Sequence, residues 1–200
     1  MRGLLIAVEG CDKSGKTTVI NTLSNSLLKK YPLKILNFPN RTTLSGILIN
    51  QHLMAKDVLN PQYLQLLFAA NRWEQFNVMK TILLEGKHII LDRYIHSGIC
   101  YSLANGLDLD WCININKGLI KPDIVIFIDT LPTQDKFKKD EIFENIEFQI
   151  KVYKYFIKLR DSTWYSIDST DTSPESLALK IYNLIKPKLE KSERGPLEMF

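Results

Sequence analysis

The chain has 200 residues, of which 45% are hydrophobic and 24% are charged, and its formal net charge is +4. This length and balance suit one α/β domain, at most with a small lid, and leave no room for a second large domain. The mild positive charge fits anionic small ligands as well as nucleic acid, so it does not choose between these partners.

Cysteine usage and hydropathy predict a reduced, soluble protein. The three cysteines, Cys11, Cys100 and Cys112, form neither a CxxC pair nor a zinc-ligand spacing. The apolar runs are about five residues long, whereas a membrane helix needs roughly 20 apolar residues. Strand-like sequence begins by Leu4, so no signal peptide is expected. We therefore expect a cytoplasmic protein with no membrane partner.

Five short apolar segments alternate with helical patterns along the chain. They lie at Leu4–Val8, Lys34–Phe38, His88–Asp92, Ile124–Ile128 and Trp164–Ile167. Continuous apolar strands separated by helices indicate a parallel sheet that is covered by helices on both faces. The pattern predicts a single doubly wound α/β domain over residues 1–200.

Several of the predicted helices have recognisable ends. The clearest runs from an Asn60 cap, with Pro61 at the first helical position, to Gly86 just past its end. Another is predicted to begin near Ile142, because apolar residues recur from there with the 3,4 spacing of one buried face. A last amphipathic helix is predicted over 174–190.

The stretch EGCDKSGKTT contains, from Gly10 to Thr17, a match to the phosphate-binding motif GxxxxGK[ST]. It follows the first strand and precedes a predicted helix, which is the context that this motif requires. Gly10 and Gly15 allow backbone N–H groups to point at phosphate oxygens, while Lys16 can reach the β- and γ-phosphates and Thr17 can ligate Mg²⁺. The predicted ATP-binding residues are Gly10, Cys11, Asp12, Lys13, Ser14, Gly15, Lys16, Thr17 and Thr18.

This motif indicates a nucleoside triphosphate but does not identify the acceptor. A regulatory GTPase needs an NKxD segment to read guanine, and the nearest match, NKGL at 116–119, lacks the aspartate. The sequence therefore argues against a GTPase switch and leaves an ATPase or a small-molecule kinase open.

Charged residues follow the second and third predicted strands, at the edge where open α/β sheets bind ligands. Arg41 ends the segment FPNR, and Asp92 and Arg93 open DRYIHSG. Asp92 could hold Mg²⁺ through a water molecule. It could equally cap a helix or pair with Arg93, and Arg41 could be an exposed loop residue.

An aromatic and a basic residue share one face of the long predicted helix. Phe68 and Arg72 are four residues apart in FAANRWEQ. The ring can stack on a nucleobase, and the guanidinium can donate hydrogen bonds to the edge of that base. The alternative is a core phenylalanine beside an arginine that is paired with Glu74 or another acid.

Together these segments resemble a known family. The motifs, in family order, are EGxDKSGKT, FPxR, LLFxANRWEQ, DRYxxSG, LDWC, GLxKPDxVxF and ExFENxxFQ. They are similar to those of thymidylate kinases, most of all the eukaryotic and poxvirus-type branch, from Gly3 to about Gln149. The ending GPLEMF is similar as well.

The resemblance implies a nucleoside monophosphate kinase fold, with a five-stranded parallel sheet in the order 2-3-1-4-5 and a short lid at about 132–142. It implies phosphoryl transfer from ATP with Mg²⁺ to dTMP, giving dTDP and ADP for dTTP synthesis. It further implies a homodimer without a nucleic-acid partner, located in the host cytoplasm if the protein is viral.

The resemblance also implies how the acceptor is bound. Arg41 and Arg93 would hold the acceptor phosphate, Phe68 would stack on thymine and Arg72 would bond its O4 edge. Asp12 would bind the 3′-hydroxyl of the sugar. The complete predicted acceptor set is Asp12, Phe38, Arg41, Phe68, Arg72, Arg93, Ser97, Gly98 and Tyr101.

Four residues are expected to act on the transferred phosphoryl group, namely Lys13, Lys16, Arg93 and Asp92. The acceptor phosphate is already anionic, so the reaction needs alignment and charge neutralisation rather than a general base. Thr17 and Asp92, the latter through water, are the expected Mg²⁺ ligands. The adenine is expected against STDTS, the loop after Asp168.

Two departures from the family pattern affect these expectations. The lid segment PTQDKFKKDEIFE contains no arginine, and its only cations are Lys136, Lys138 and Lys139. Lysine lacks the bidentate fork of arginine, so the catalytic cation is expected to be Lys13 in the loop. Phe143 stands where relatives carry a tyrosine, which removes one polar contact to the nucleotide.

The sequence leaves other functions open. A broader deoxynucleoside monophosphate kinase and a catalytically weak nucleotide-binding homologue both remain possible. A nucleoside kinase would need a carboxylate base and would leave Arg41 and Arg93 without a purpose. Within the thymidylate kinase reading, dUMP is expected to be a poorer substrate, and Tyr101 is the candidate for excluding ribonucleotides.

Overall fold

The computed structural model describes residues 1–55, 60–134, 143, 145–170, 172–191 and 193–200. Five parallel strands form one sheet in the order β2-β3-β1-β4-β5, which confirms the predicted topology. The strands are β1 Leu5–Glu9, β2 Leu33–Asn37, β3 His88–Asp92, β4 Ile124–Asp129 and β5 Trp164–Asp168. Each lies within one residue of a predicted strand.

Helices cover both faces of this sheet. They are α1 Lys16–Thr22, α2 Leu44–Ala55, α3 Pro61–Glu74, α4 Phe76–Leu84, α5 Ile95–Ala104, α6 Leu109–Asn114, α7 Ile146–Leu159 and α8 Pro174–Leu189. A π-helical turn, Leu23–Leu27, continues α1. As predicted, Asn60 caps α3, and its side-chain oxygen accepts a hydrogen bond of 3.1 Å from the N–H of Tyr63.

The segment predicted as one helix from Asn60 to Gly86 consists of two helices, so that prediction was wrong. At Gln75 the backbone N–H donates to the carbonyl of Arg72, three residues earlier, at 3.2 Å. One tighter turn therefore interrupts the helix before α4 begins. Apolar periodicity continues across such a turn, so the sequence pattern did not reveal the break.

The helix predicted from near Ile142 begins later. Ile142 lies outside the described residues, and Phe143 lies in a turn. Asn145 has extended backbone dihedrals, and its side chain accepts hydrogen bonds from the N–H groups two and three residues later, at 2.9 and 3.4 Å. This cap starts α7 at Ile146, because the cap geometry and not the apolar spacing decides where a helix begins. Most of the predicted lid, residues 135–142, is also outside the described part of the chain.

Successive side chains of β1 point to opposite faces of the sheet and join two separate parts of the hydrophobic core. Ile6 and Val8 pack into a cluster with α1 and α8 on one face, while Leu5 and Ala7 join a second cluster with α4 and α5 on the other. Full burial of one such aliphatic side chain contributes about 1.5–3 kcal/mol. Because β1 pairs in parallel with β3 and β4, the carboxyl ends of these three strands meet at one edge of the sheet. Of the helices described, none has the length and apolar character needed to span a membrane.

Candidate active site

The phosphate loop connects β1 to α1 through several left-handed turns. Gly10, Lys13 and Gly15 have φ angles of 151°, 59° and 87°. Steric crowding does not account for the glycine at position 15, because a Cβ built on Gly15 meets no atom within 4 Å. The backbone conformation accounts for the glycine, since a positive φ angle favours glycine over other residues. Lys13 adopts the same region without being glycine, at a cost of about 1–3 kcal/mol.

Lys16 is buried inside this loop. Its ammonium group donates to the carbonyl of Cys11 at 2.5 Å and to Oγ of Ser14 at 3.1 Å. Burial, followed by the nearby charge of Arg93, lowers the pKa of Lys16 to about 8. The ammonium group therefore sits within the loop, where two protein oxygens hold it.

The two predicted metal ligands meet at the start of α1. Val8 of β1 pairs with Asp92 at the end of β3, which brings the carboxylate beside the loop. Thr17 Oγ1 donates to Asp92 Oδ2 at 2.5 Å. Both side chains line a cavity of about 370 Å³ that Lys13 and Lys16 also border.

Arg93 occupies the centre of the site in a constrained conformation, with a φ of 68°. Its guanidinium donates to the carbonyl of Gly10 at 2.6 Å, to Ser97 Oγ at 3.1 Å and to Asp12 Oδ1 at 2.5 Å. Burial acts to lower the pKa of Arg93, but the neighbouring Tyr101 and Asp12 groups outweigh it and raise the pKa. The side chain is thus a permanently charged group with a fixed orientation.

Buried Glu9, which the sequence analysis did not single out, supports the turn that carries Arg93. The Glu9 carboxylate accepts the N–H of Tyr94 at 3.0 Å and the hydroxyl of Ser97. Burial acts to raise the pKa of Glu9, but the proximity of His96 and the Ser97 hydrogen bond lower it on balance. A charged carboxylate therefore anchors the backbone immediately after Arg93.

Asp12 is held by Gln149, another residue that was given no role from the sequence. Gln149 of α7 is fully buried, and its amide nitrogen donates to Asp12 Oδ2 at 2.6 Å. The amide oxygen accepts the Asp12 N–H at 3.0 Å, and Tyr101 OH lies 3.3 Å from the same oxygen. The only sequence signal for Gln149 was its place at the end of the motif ExFENxxFQ.

A cavity of about 290 Å³ adjoins this network, and we call it the acceptor cavity after the residues predicted to bind the acceptor. The structure brings all nine predicted acceptor residues to its wall. Phe68 is half-buried on α3, and Arg41 donates to Asn50 Oδ1 at 2.6 Å. Lining residues that the sequence analysis did not assign to the acceptor are Lys13, Pro39, Leu53, Gln65, Tyr94 and Phe143.

Arg72 is almost fully buried at the far wall of this cavity. Its Nε donates to Asn116 Oδ1 at 2.9 Å. The alternative pairing with Glu74 does not occur, because Glu74 accepts hydrogen bonds from the N–H and hydroxyl of Ser45. Burial lowers the pKa of Arg72 to about 10. A Cβ at Gly98 would lie 2.9 Å from both terminal nitrogens of Arg72, so glycine leaves the room that this guanidinium occupies.

Gly10 and Cys11, two loop residues expected to bind ATP, hold neighbouring side chains of the site through their backbone carbonyls. Cys11 is buried and its thiol faces the carbonyl of Gln149 at 3.8 Å. Burial raises the pKa of Cys11 to about 12, so the thiol is unreactive. The carbonyls of Gly10 and Cys11 accept hydrogen bonds from Arg93 and Lys16, respectively.

A third cavity, of about 540 Å³, extends the cleft on the other side of the loop. The loop residues Ser14, Gly15 and Thr18 form one wall. The opposite wall includes Ser169, Thr170 and Thr172, which follow β5 in the stretch expected to hold adenine.

The chain is similar to proteins of a known family. The Thymidylate kinase family model matches residues 8–181. The chain belongs to the thymidylate kinase family.

Individual relatives match this family member over most of their length. The 251L protein of Invertebrate iridescent virus 6 is 45% identical over 79% of this chain and 76% of its own. The thymidylate kinase of Dictyostelium discoideum is 37% identical over 95% of this chain and 88% of its own. The solved structure of Candida albicans thymidylate kinase superposes with a TM-score of 0.90 at 34% identity, covering 100% of this chain and 98% of that one. The part of the chain that the structure describes therefore has the thymidylate kinase fold.

Proposed function

We propose a division of labour among the side chains of the cleft for the reaction of the thymidylate kinase family, in which ATP phosphorylates dTMP to dTDP. The observation that carries the proposal is that the three cavities share lining residues. Lys13 borders all of them, and Arg93 borders both the acceptor cavity and the cavity beside Thr17. The donor and acceptor phosphates would meet at these two cations.

Charge neutralisation is the main task of the site. Two phosphate groups repel each other, and the acceptor oxygen is already anionic, so cations and alignment lower the barrier. Lys13, Lys16 and Arg93 would surround the transferred phosphoryl group, while Arg41 would contact the acceptor phosphate. Asp12 would orient Arg93 through their 2.5 Å ion pair and receive the 3′-hydroxyl of the sugar.

The chemistry of Thr17 and Asp92 fits a magnesium ion. Mg²⁺ prefers oxygen ligands and retains water molecules, which suits one hydroxyl and one carboxylate at the edge of an open cavity. Bound with ATP, the ion would supply positive charge to the phosphate oxygens. Thr17 and Asp92 would hold it in place, Asp92 through water.

An acceptor panel tests this assignment. With ATP, dTMP should be the best of dTMP, dUMP, dCMP, dGMP, AMP and thymidine. We expect kcat/KM for dUMP to be about 10- to 200-fold lower, because one methyl group in an apolar pocket is worth only about 1–3 kcal/mol. Thymidine should be inactive, since it offers Arg41 and Arg93 no phosphate.

The same panel separates the alternatives. Comparable rates with dTMP and dGMP would support a broader deoxynucleoside monophosphate kinase; the Candida albicans relative is described as having broad substrate specificity. Phosphorylation of thymidine but not dTMP would contradict the proposal.

A matched UMP and dUMP pair tests whether Tyr101 excludes ribonucleotides. The ring of Tyr101 lies 5.4 Å from the Arg93 guanidinium at the wall of the acceptor cavity. Equal rates with these two nucleotides would rule out a steric role for Tyr101.

The lowered pKa of Lys16 predicts a pH dependence. As pH rises through about 8, the ammonium group of the free enzyme loses its proton, so kcat/KM for ATP should fall. Bound phosphates favour the charged form, so kcat at saturating ATP should decline only at higher pH. Steady-state kinetics at fixed ionic strength would measure both profiles. Constant kcat/KM for ATP well beyond pH 8 would contradict this role of Lys16.

The homodimer expected from the sequence has a candidate surface on α2. One helical stripe carries four apolar residues, each between 45% and 81% exposed, namely Leu44, Ile47, Leu48 and Met54. We infer that a second copy of the chain covers this stripe. Leu48→Glu should shift sedimentation toward a monomer. Leu84→Glu, which changes an exposed leucine on α4, should not. A monomeric wild-type protein at micromolar concentration would contradict the inference.

A further inference from the structure

Arg72 is a buried cation with a neutral partner. Only 3% of the residue is exposed, and Arg72 forms no ion pair with any residue that the structure describes. Among the described residues, the guanidinium of Arg72 makes one hydrogen bond, from Nε to Asn116 Oδ1, at 2.9 Å. The two terminal nitrogens therefore keep their donors available beside Gly98, at the wall of the acceptor cavity.

Asn116 is itself fixed in orientation. It is 1% exposed, and its Nδ2 donates to the carbonyl of Cys112 at 2.8 Å. Since an amide nitrogen must donate and an amide oxygen must accept, this bond directs Oδ1 toward Arg72. A second tie joins the same segments, because Trp73 Nε1 donates to the carbonyl of Ile115 at 3.4 Å. Thus α3 and the end of α6 are locked together where Asn116 meets Arg72.

We propose that Asn116 is a positioning residue for base recognition, which holds the guanidinium plane of Arg72 so that its terminal nitrogens face the 4-oxo edge of the acceptor base. The proposal rests on the proposed function, in which Arg72 contacts that edge. It goes further by making recognition depend on a residue outside the acceptor cavity, which touches neither substrate.

The geometry explains why such a support is needed. An arginine side chain has several rotatable bonds, and an unsupported buried guanidinium would sample orientations that do not reach the base. Asn116 uses only Nε, so it restrains the plane without occupying the two nitrogens that would bind substrate. Gly98 removes the steric obstacle on the other side.

Asn116→Leu tests this role, because leucine has a similar volume and no acceptor. We expect KM for dTMP to rise about tenfold, the effect of one hydrogen bond, while KM for ATP stays unchanged. The preference for dTMP over 5-methyl-dCMP, which carries an amino group in place of the 4-oxo group, should shrink by a similar factor. Asn114→Leu, on the exposed side of α6, is the matched control and should change neither value.

Asn116→Asp separates positioning from packing. It loses the donation to the Cys112 carbonyl, but its carboxylate accepts from Nε and would form an ion pair with the buried Arg72 guanidinium, so KM for dTMP should stay within about threefold of the wild-type value. If Asn116→Leu does not fold, Asn116→Asp still tests the positioning role of Asn116. A folded Asn116→Asp protein with a loss above tenfold, or a folded Asn116→Leu protein with unchanged base preference, overturns the proposal.

A double-mutant cycle with Arg72→Gln separates the role of Arg72 in base recognition from the positioning role of Asn116. If Asn116 acts through Arg72, Asn116→Leu should add nothing to the loss caused by Arg72→Gln. If Arg72→Gln leaves the base preference unchanged, the assignment of Arg72 in the proposed function fails. If Arg72→Gln abolishes the preference while Asn116→Leu preserves it, only the positioning role fails.

Discussion

Replacing Arg93 with alanine is expected to lower kcat/KM for dTMP by about 10²-fold. Hydrogen bonds to charged groups contribute about 1.5–3 kcal/mol each, and Arg93 borders both the acceptor cavity and the cavity beside the phosphate loop. Its loss would remove the cation placed between two phosphates, and it would leave Asp12 without its ion-pair partner. Steady-state kinetics with varied dTMP would measure the effect.

Two further variants make this result interpretable. Arg93→Lys keeps a point charge but loses the planar fork, so its activity should lie between those of wild type and Arg93→Ala. Arg160→Ala removes an arginine whose 3.2 Å ion pair with Asp129 lies outside the acceptor cavity. It should leave dTMP kinetics unchanged. Unaltered dTMP kinetics in Arg93→Ala would refute the assignment of this residue.

Replacing Lys16 with methionine should lower kcat by about 10²- to 10³-fold. Preorganised charges that face the developing charge of a transition state have effects of this size when one is removed. Methionine fills a similar volume, so the buried site stays occupied. Single-turnover measurement of ADP formation would separate the chemical step from product release.

Stability provides an independent check on Lys16→Met. The lowered pKa shows that burial disfavours the charged form of Lys16, so removing the charge should not lower the unfolding temperature. Lys29→Met changes an exposed lysine and should affect neither activity nor stability. A loss of less than about fivefold in Lys16→Met would exclude Lys16 as a major contributor to catalysis.

Much of the secondary structure of this protein, and its phosphate loop, could be predicted from local sequence. The apolar runs predicted the strands, because a strand buried on both faces must be continuously hydrophobic. The motif from Gly10 to Thr17 predicted the phosphate loop, because its geometry depends on glycines within the same few residues. The Asn60 cap was also predictable, since it joins the side chain to a backbone N–H three residues away.

Other features depend on contacts that sequence spacing does not encode. Gln149 holds Asp12 across 137 residues, and Asn116 holds Arg72 across 44. Glu9 reads as the end of a strand, and only the packing of α5 shows that it anchors the turn after Arg93. These polar side chains carry no periodic signal, so the resemblance to thymidylate kinases suggested the cleft but not its supports.

By itself, the sequence determined the order of strands and helices, the phosphate loop and the residues expected at the acceptor wall. The first two follow from local backbone preference, burial period and motif, whereas the acceptor residues follow from the resemblance to thymidylate kinases. Only the tertiary structure decided where the helix after Asn60 breaks, where α7 begins, and which buried amides orient Asp12 and Arg72. The physical reason is that a buried polar group must find a partner wherever the fold brings one, and that partner can be distant in the chain.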